Sequence, residues 1–189
     1  MRALVRTTSI ERLPAGAIPV VGNALIAESF ADAVRSGDTF VQLVGTPHPG
    51  PAKAAEFERV DLVSARESIR VAEARRVAHF VYLSVAQPAP VMQAYVSVRQ
   101  RGEAALAASG LRATTVRPWY VLGPGHRWPW ALAPLYWLAE RVPATRESAL
   151  RLGLVRLPDM VRALVHAVEH PPDTTVVLDV PRIRQLGRA

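Results

Sequence analysis

Three residues near the middle of the chain could carry acid–base chemistry, and they come in a fixed order: Ser84, Tyr95 and Arg99. Tyr95 and Arg99 are four apart, which on a helix puts both side chains on one face. A phenol beside a fixed cation has its charged form favoured, and its pKa falls towards the range useful for giving and taking a proton. A serine hydroxyl nearby could polarise a carbonyl. A core tyrosine with a solvated arginine has the same spacing, so Tyr-x-x-x-Arg alone leaves both readings open.

The elements around these residues would have to position them. HFVYLS, His79 to Ser84, is a run of β-branched and aromatic residues that reads as a strand with Ser84 at its carboxyl end. Val91 to Ala108 has apolar residues at helical spacing (Val91, Ala94, Tyr95, Val98, Ala105, Leu106), and Gly110 closes it. Ala113 to Val116 reads as the next strand, and RPWYVLGPG, Arg117 to Gly125, as a Pro/Gly loop leaving it. Strand, helix, strand is a βαβ unit with parallel, buried strands, and in such open sheets ligands bind at the carboxyl ends.

The rest of the chain extends the pattern. MRALVR reads as a strand, Thr7 to Gly16 as a polar turn and Ala17 to Val21 as a second strand closed by Gly22-Asn23. Ala24 to Ser36 has a helical pattern with Gly37 as its C-cap, and Thr39 to Val44 is a strand ending in Gly45-Thr46-Pro47. Pro51 to Val77 reads as a long helix. After Gly125, Trp128, Trp130 and Trp137 crowd with Pro129, Pro134 and Pro143, which suggests a cap of short helices on the substrate side over 126–157. Leu157 to Glu169 reads as an amphipathic helix, Thr174 to Val180 as a closing strand, and the arginine-rich tail as frayed.

The order Ser84, Tyr95-x-x-x-Arg99, then a strand ending in Arg117-Pro118, resembles the extended and atypical short-chain dehydrogenase/reductases. LVGT, FVYLSV, SGLRATTVRPWYVLGPG and LPDMVRALVHAVEHP carry the likeness over nearly the whole chain. The nearest branch is epimerase/dehydratase-like or NmrA-like. The resemblance implies an α/β fold, a doubly wound parallel Rossmann-like sheet over 1–189, binding NADP or NAD together with a small-molecule substrate. In it Tyr95 is the acid/base, Ser84 orients a carbonyl and Arg99 holds the ribose. Arg6, after the first strand, matches a residue that often meets the 2′-phosphate of NADP. Asn23 lies where an amide meets adenine, Gly45 and Thr46 where backbone lines the cofactor, and Arg117-Pro118 where backbone faces the nicotinamide, with Trp119 as a pocket wall. Each also has a plainer reading: surface charge for Arg6, turns for Gly22-Asn23 and Gly45-Thr46, a strand-end cap for Ser84, packing for Trp119.

Two departures qualify the resemblance. The family's lysine is Arg99 here, and arginine keeps the charge but cannot relay a proton. No glycine fingerprint follows the first strand, which resembles the family's second, so the reading expects the first βα unit to be missing. Either the start is an internal methionine, which this reading favours, or the chain is a remnant. The alternative function is a non-catalytic dinucleotide-binding regulator or accessory subunit, or a fragment without nucleotide binding.

Composition narrows the classes further. Half of the 189 residues are hydrophobic, which argues against disorder, and the chain has no cysteine for disulfides, thiolate metal sites or a thiol nucleophile. The formal net charge is +7, but the arginines are spread without a dense basic run or a nucleic-acid motif, so no nucleic-acid partner is expected. No signal peptide or membrane-span-length apolar run is visible, and a cytoplasmic protein is expected. His166 and His170 have metal-ligand spacing without a third ligand and read as structural; His48 and His126 fall in loops on the ligand side.

Overall fold

The computed structural model describes residues 1–124 and 131–188. Gly125, His126, Trp128, Pro129 and Trp130, on which part of the expected cap and one loop histidine fall, lie outside the described residues. Among the described residues, eight short strands run β1 (Arg2–Val5), β2 (Ile18–Val21), β3 (Thr39–Gln42), β4 (His79–Leu83), β5 (Ala113–Val116), β6 (Tyr120–Leu122), β7 (Leu154–Arg156) and β8 (Val176–Leu178). They form a four-stranded parallel sheet in the order β3-β4-β5-β8 and two parallel pairs, β1-β2 and β6-β7. The helices are α1 (Ala54–Glu56), α2 (Val63–Arg75), α3 (Gln93–Ala108), α4 (Ala133–Ala139), α5 (Pro143–Arg151), α6 (Leu157–Glu169) and α7 (Val180–Leu186).

The central sheet is covered on both faces, and β4 shows why its sequence is apolar throughout. Successive side chains of a strand point to opposite faces. Phe80 and Tyr82 pack with Ala65, Ile69 and Ala72 of α2 and Leu106 of α3. Val81 points the other way, into a cluster with Met160, Ala163 and Ala167 of α6 and Ile183 of α7. Helices on both faces of a parallel sheet make the architecture Rossmann-like and doubly wound. Phe40 and Phe80, cross-strand partners, stack with centroids 5.3 Å apart and planes 4° apart.

Four local expectations change. Residues 24–36 hold two short 3-10 turns, Ala27–Ser29 and Ala31–Ala33, instead of a helix. Side chains have taken the backbone partners: Asn23 Oδ1 accepts from Leu25 N, Ser29 Oγ bonds Asn23 and Ile26 backbone, and Ala27 N donates to Glu67. Gly37 keeps a positive φ of 81°, used to turn its N–H onto Arg76 O at the end of α2. The turn after β1 is a 3-10 helix, Thr7–Arg12. The loop leaving β5 contains β6, which pairs with β7 across the cap region. The tail is α7, not a frayed end: Asp179 caps it by accepting from Arg182 N at 3.0 Å, and Val180 and Ile183 are fully buried.

The long helix before β4 is interrupted. Between α1 and α2 the chain makes a π-helical turn, Phe57–Leu62. Such turns are rare single insertions, often found at functional sites. This one turns Asp61 inward together with Phe57 and Leu62, all three buried.

Candidate functional site

The residues singled out by sequence sit in loops that follow strands. Gly45 and Thr46 follow β3, Ser84 follows β4, and Arg117 and Pro118 follow β5. Backbone bonds Ser84 N to Val116 O (2.8 Å) and Ala86 N to Pro118 O (2.9 Å) hold the last two loops side by side. α3 brings Tyr95 and Arg99 to the same edge, since Arg99 Nη1 donates to Leu83 O at the end of β4 at 2.9 Å.

Arg99 does not reach outward. It is 3% exposed, and its Nη2 donates to Asp61 Oδ1 at 2.6 Å. Asp61 also accepts from Thr46 N at 2.9 Å and from Thr46 Oγ1 at 2.6 Å. The guanidinium lies near two phenol rings, 5.2 Å from the Tyr95 centroid and 5.9 Å from that of Tyr82. Burial works against its charge, while Tyr95, Tyr82 and Asp61 favour it, and the balance holds it above the ordinary arginine range. Burial, partly offset by Arg99, pushes the Tyr82 phenol up. A Cβ on Gly45 would collide with Arg99 Nη2, so the bare Cα there admits this protein's own arginine. The expected ribose-holding role therefore meets a guanidinium with both terminal nitrogens already engaged inside the fold.

Ser84 is 3% exposed, and its hydroxyl donates to Glu103 Oε1. The same carboxylate accepts from Gln87 Nε2 (2.9 Å) and from Arg117 through Nε (3.0 Å) and Nη2. The hydroxyl expected to orient a carbonyl is thus spent on an internal acid. Tyr95 is half-buried, with its ring against Phe57 at 5.0 Å.

The remaining positions are simpler. Arg6 is exposed and makes no side-chain ion pair with a described residue. Asn23 is exposed, and its carbonyl oxygen closes its own turn on Leu25 N. Pro118 is buried. Trp119 packs against the core cluster and edge-on to Tyr120. His48 is exposed with a φ of 49°. His166 and His170 stack at 4.3 Å, and no cluster able to hold a metal exists among the described residues.

A cavity of about 370 Å³ opens beside this edge. Gln87, Arg117 and Asp179 line it from the loops after β4, β5 and β8, and Glu147 and Arg151 from α5. Arg117 is the one sequence-selected residue on its wall; Ser84 and Tyr95 are not.

Asp61, Gln87 and Glu103 were missed by sequence reasoning. Two of them left a signal. Asp61 is a charged residue four after Phe57 and four before Ala65 on the apolar stripe of a helix, where an acid needs a buried partner. Glu103 is four after Arg99 and reads as its i,i+4 partner, yet the structure sends Arg99 to Asp61 and Glu103 to Arg117.

No protein-family model and no curated protein matches the chain. Solved structures do. A nucleoside-diphosphate-sugar epimerase from Staphylococcus aureus superposes with a TM-score of 0.64 at 18% identity, over 94% of this chain and 61% of that one. The Bordetella bronchiseptica enzyme WbmH, in complex with NAD+, gives 0.66 at 18% identity, over 99% and 70%. A short-chain dehydrogenase/reductase superfamily protein from Agrobacterium tumefaciens, with bound NAD, gives 0.64 at 16%, over 94% and 69%. The chain thus spans 61% to 70% of the length of these three structures. Its fold is the Rossmann-like fold of the short-chain dehydrogenase/reductases and sugar-nucleotide epimerases.

Proposed function

We propose that the protein is an NAD(P)-dependent oxidoreductase-like or epimerase/dehydratase-like member of the short-chain dehydrogenase/reductase superfamily. The observation that carries this reading is that α3, which bears Tyr95 and Arg99, is tied to the carboxyl ends of β4 and β3 by Arg99, which bonds Leu83 O directly and the loop residue Thr46 through Asp61, while a cavity is walled by the loops after β4, β5 and β8 at the same end of the sheet. Arg6, Asn23, Gly45, Thr46, Arg117 and Pro118 would flank a dinucleotide. The guanidinium of Arg6 after β1, which has no ion pair among the described residues, suits the extra phosphate of NADP. The bare Gly45 is taken up by Arg99, so the cofactor fits against loop backbone and not into that notch. A nicotinamide, when bound, supplies the hydride acceptor or donor. Tyr95 would move the proton, with Arg99 fixing its ring from the protein side, and Arg117, on the wall of the cavity, would hold a polar group of a substrate that extends from Tyr95 into it.

A second reading has its own support: binding without turnover, as in a regulator or accessory subunit. Arg99 in its buried pair with Asp61, and Ser84 on Glu103, are engaged as structural residues would be. Calorimetric titration with NADP+ and NAD+, followed by NADPH oxidation with a panel of small carbonyl compounds and sugar nucleotides, separates the readings. Turnover that Tyr95→Phe abolishes at unchanged thermal midpoint supports the first. Saturable dinucleotide binding without turnover supports the second, and absence of both sinks the pair.

A further inference from the structure

The arginine-rich end of the chain borders a second cavity. α7 packs against β7 and α6, and between them lies a cavity of about 420 Å³ lined by Leu122, Leu154, Arg156, Asp159, Arg184 and Arg188. Its charges do not balance. Asp159 is 4% exposed and is held by Arg156 (2.8 and 3.1 Å) and by Arg162 (2.9 Å). Arg184 donates to Glu140 and to Leu154 O, both at 2.8 Å. Arg188 makes no side-chain hydrogen bond or ion pair with any described residue. Three arginines, Arg156, Arg184 and Arg188, and one carboxylate, Asp159, therefore line the cavity, an excess of two positive charges among its described lining residues.

We propose that this cavity is a binding site for a soluble phosphorylated small molecule, held by Arg188, Arg184 and Arg156. A phosphoryl group carries close to the missing two negative charges, and its oxygens match the planar fork of a guanidinium. Part of the frame is fixed in advance. A Cβ on Gly153 would collide with Arg184, one on Gly187 with Asp159, and Arg162 also donates to Gly187 O, so the glycines let the arginine and acid layer close over the backbone. Arg184 and Arg156 are oriented by Glu140 and Asp159, and only Arg188 is left to close on the ligand. The site is separate from the cavity beside Arg117, and it stands whichever reading of that cavity holds.

Titration of the full chain with pyrophosphate, at low and at high ionic strength, tests it. The expected result is saturable one-site binding that weakens as salt rises. Arg188→Ala should weaken it by roughly tenfold, as loss of one charged hydrogen-bonding partner does. Arg188→Glu should abolish it and Arg188→Lys keep most of it. Arg188 is exposed, so these variants should melt like the parent, and Arg66→Glu, on the exposed side of α2, serves as the charge-matched control. Absence of saturable binding overturns the proposal, as does equal loss in Arg66→Glu and Arg188→Glu, which would mean diffuse attraction to a basic protein. Co-sedimentation with vesicles containing phosphatidic acid, without binding of pyrophosphate, would also overturn it and make the ligand a lipid headgroup.

Discussion

At the scale of single residues the central object is the Asp61–Arg99 pair, for both partners are almost fully withdrawn from water. A buried pair has a desolvation cost that only good geometry and further hydrogen bonds offset. Here the further bonds are Thr46 to Asp61 and Arg99 to Leu83 O. Removing one partner leaves a lone buried charge, so Asp61→Asn should lower stability by about 3 to 5 kcal/mol in denaturant melts. Removing both with apolar residues of similar volume, Asp61→Leu with Arg99→Met, should recover much of that loss. A double variant as unstable as the sum of the singles would mean that the pair is not coupled. Arg99→Lys is not conservative in this setting. A lysine cannot bond Asp61 and Leu83 O through a rigid fork while lying near two rings, and a loss of about 1 to 3 kcal/mol is expected. The sequence showed the arginine and the tyrosine at one face of a helix. It did not show Asp61 as the partner, because that pairing depends on a π turn and a contact 38 residues away.

At the scale of elements, close packing between α3 and β4 rests on one glycine. A Cβ at Gly102 would collide with the Tyr82 hydroxyl, on a strand buried on both sides, so Gly102→Ala should cost about 1 to 3 kcal/mol by overpacking. Pairing it with Tyr82→Phe, which removes the obstructing oxygen, should return part of the loss. α7 gives a milder case: Asp179→Ala removes the cap and should cost about 0.5 to 2 kcal/mol, whereas Asp179→Asn should keep most of the stability. Much of the element order was legible because its signals are local. The 157–169 helix, the buried strands β4 and β5 and the positive-φ glycine at 110 that closes α3 follow from residue types within a few positions. The misses have physical causes. Residues 24–36 carry a helical apolar pattern, but Asn23, Ser29 and Glu67 satisfy backbone groups that a helix would need. β6 is three residues long, and its partner lies some thirty residues on. For α7 the signal was present, an Asp followed two residues later by Pro, and the arginine content of the tail obscured it.

At the scale of the whole molecule, acid stability should reflect a few groups whose protonation the fold opposes. His79 opens β4, is fully buried, and shares a 2.9 Å hydrogen bond between Nε2 and Thr114 Oγ1 on the neighbouring strand. Burial, and secondarily the charge of Arg112, lower its pKa below the ordinary 6.5. The unfolded chain therefore binds the proton first as pH falls. Stability is full above about pH 6.5 and declines as pH drops from there through the folded pKa. His166 is shifted the same way by burial, His170 and Arg182, so it adds to the same window. Asp159 acts lower down. Burial raises its pKa, but Arg156 and Arg162 outweigh this and hold it below 3.8, so its contribution is present above that value and is lost as pH falls further. The stability–pH curve should thus decline in two separate ranges. His79→Gln, which keeps a polar group but does not titrate, should flatten the first decline and leave the second. His166→Asn should remove what remains of the first, and Asp159→Asn should act only on the second after allowing for its lost ion pairs. Denaturant midpoints between pH 7.5 and 3 would read all three. A first decline that survives in the double variant His79→Gln with His166→Asn would place the mild-acid sensitivity in other groups.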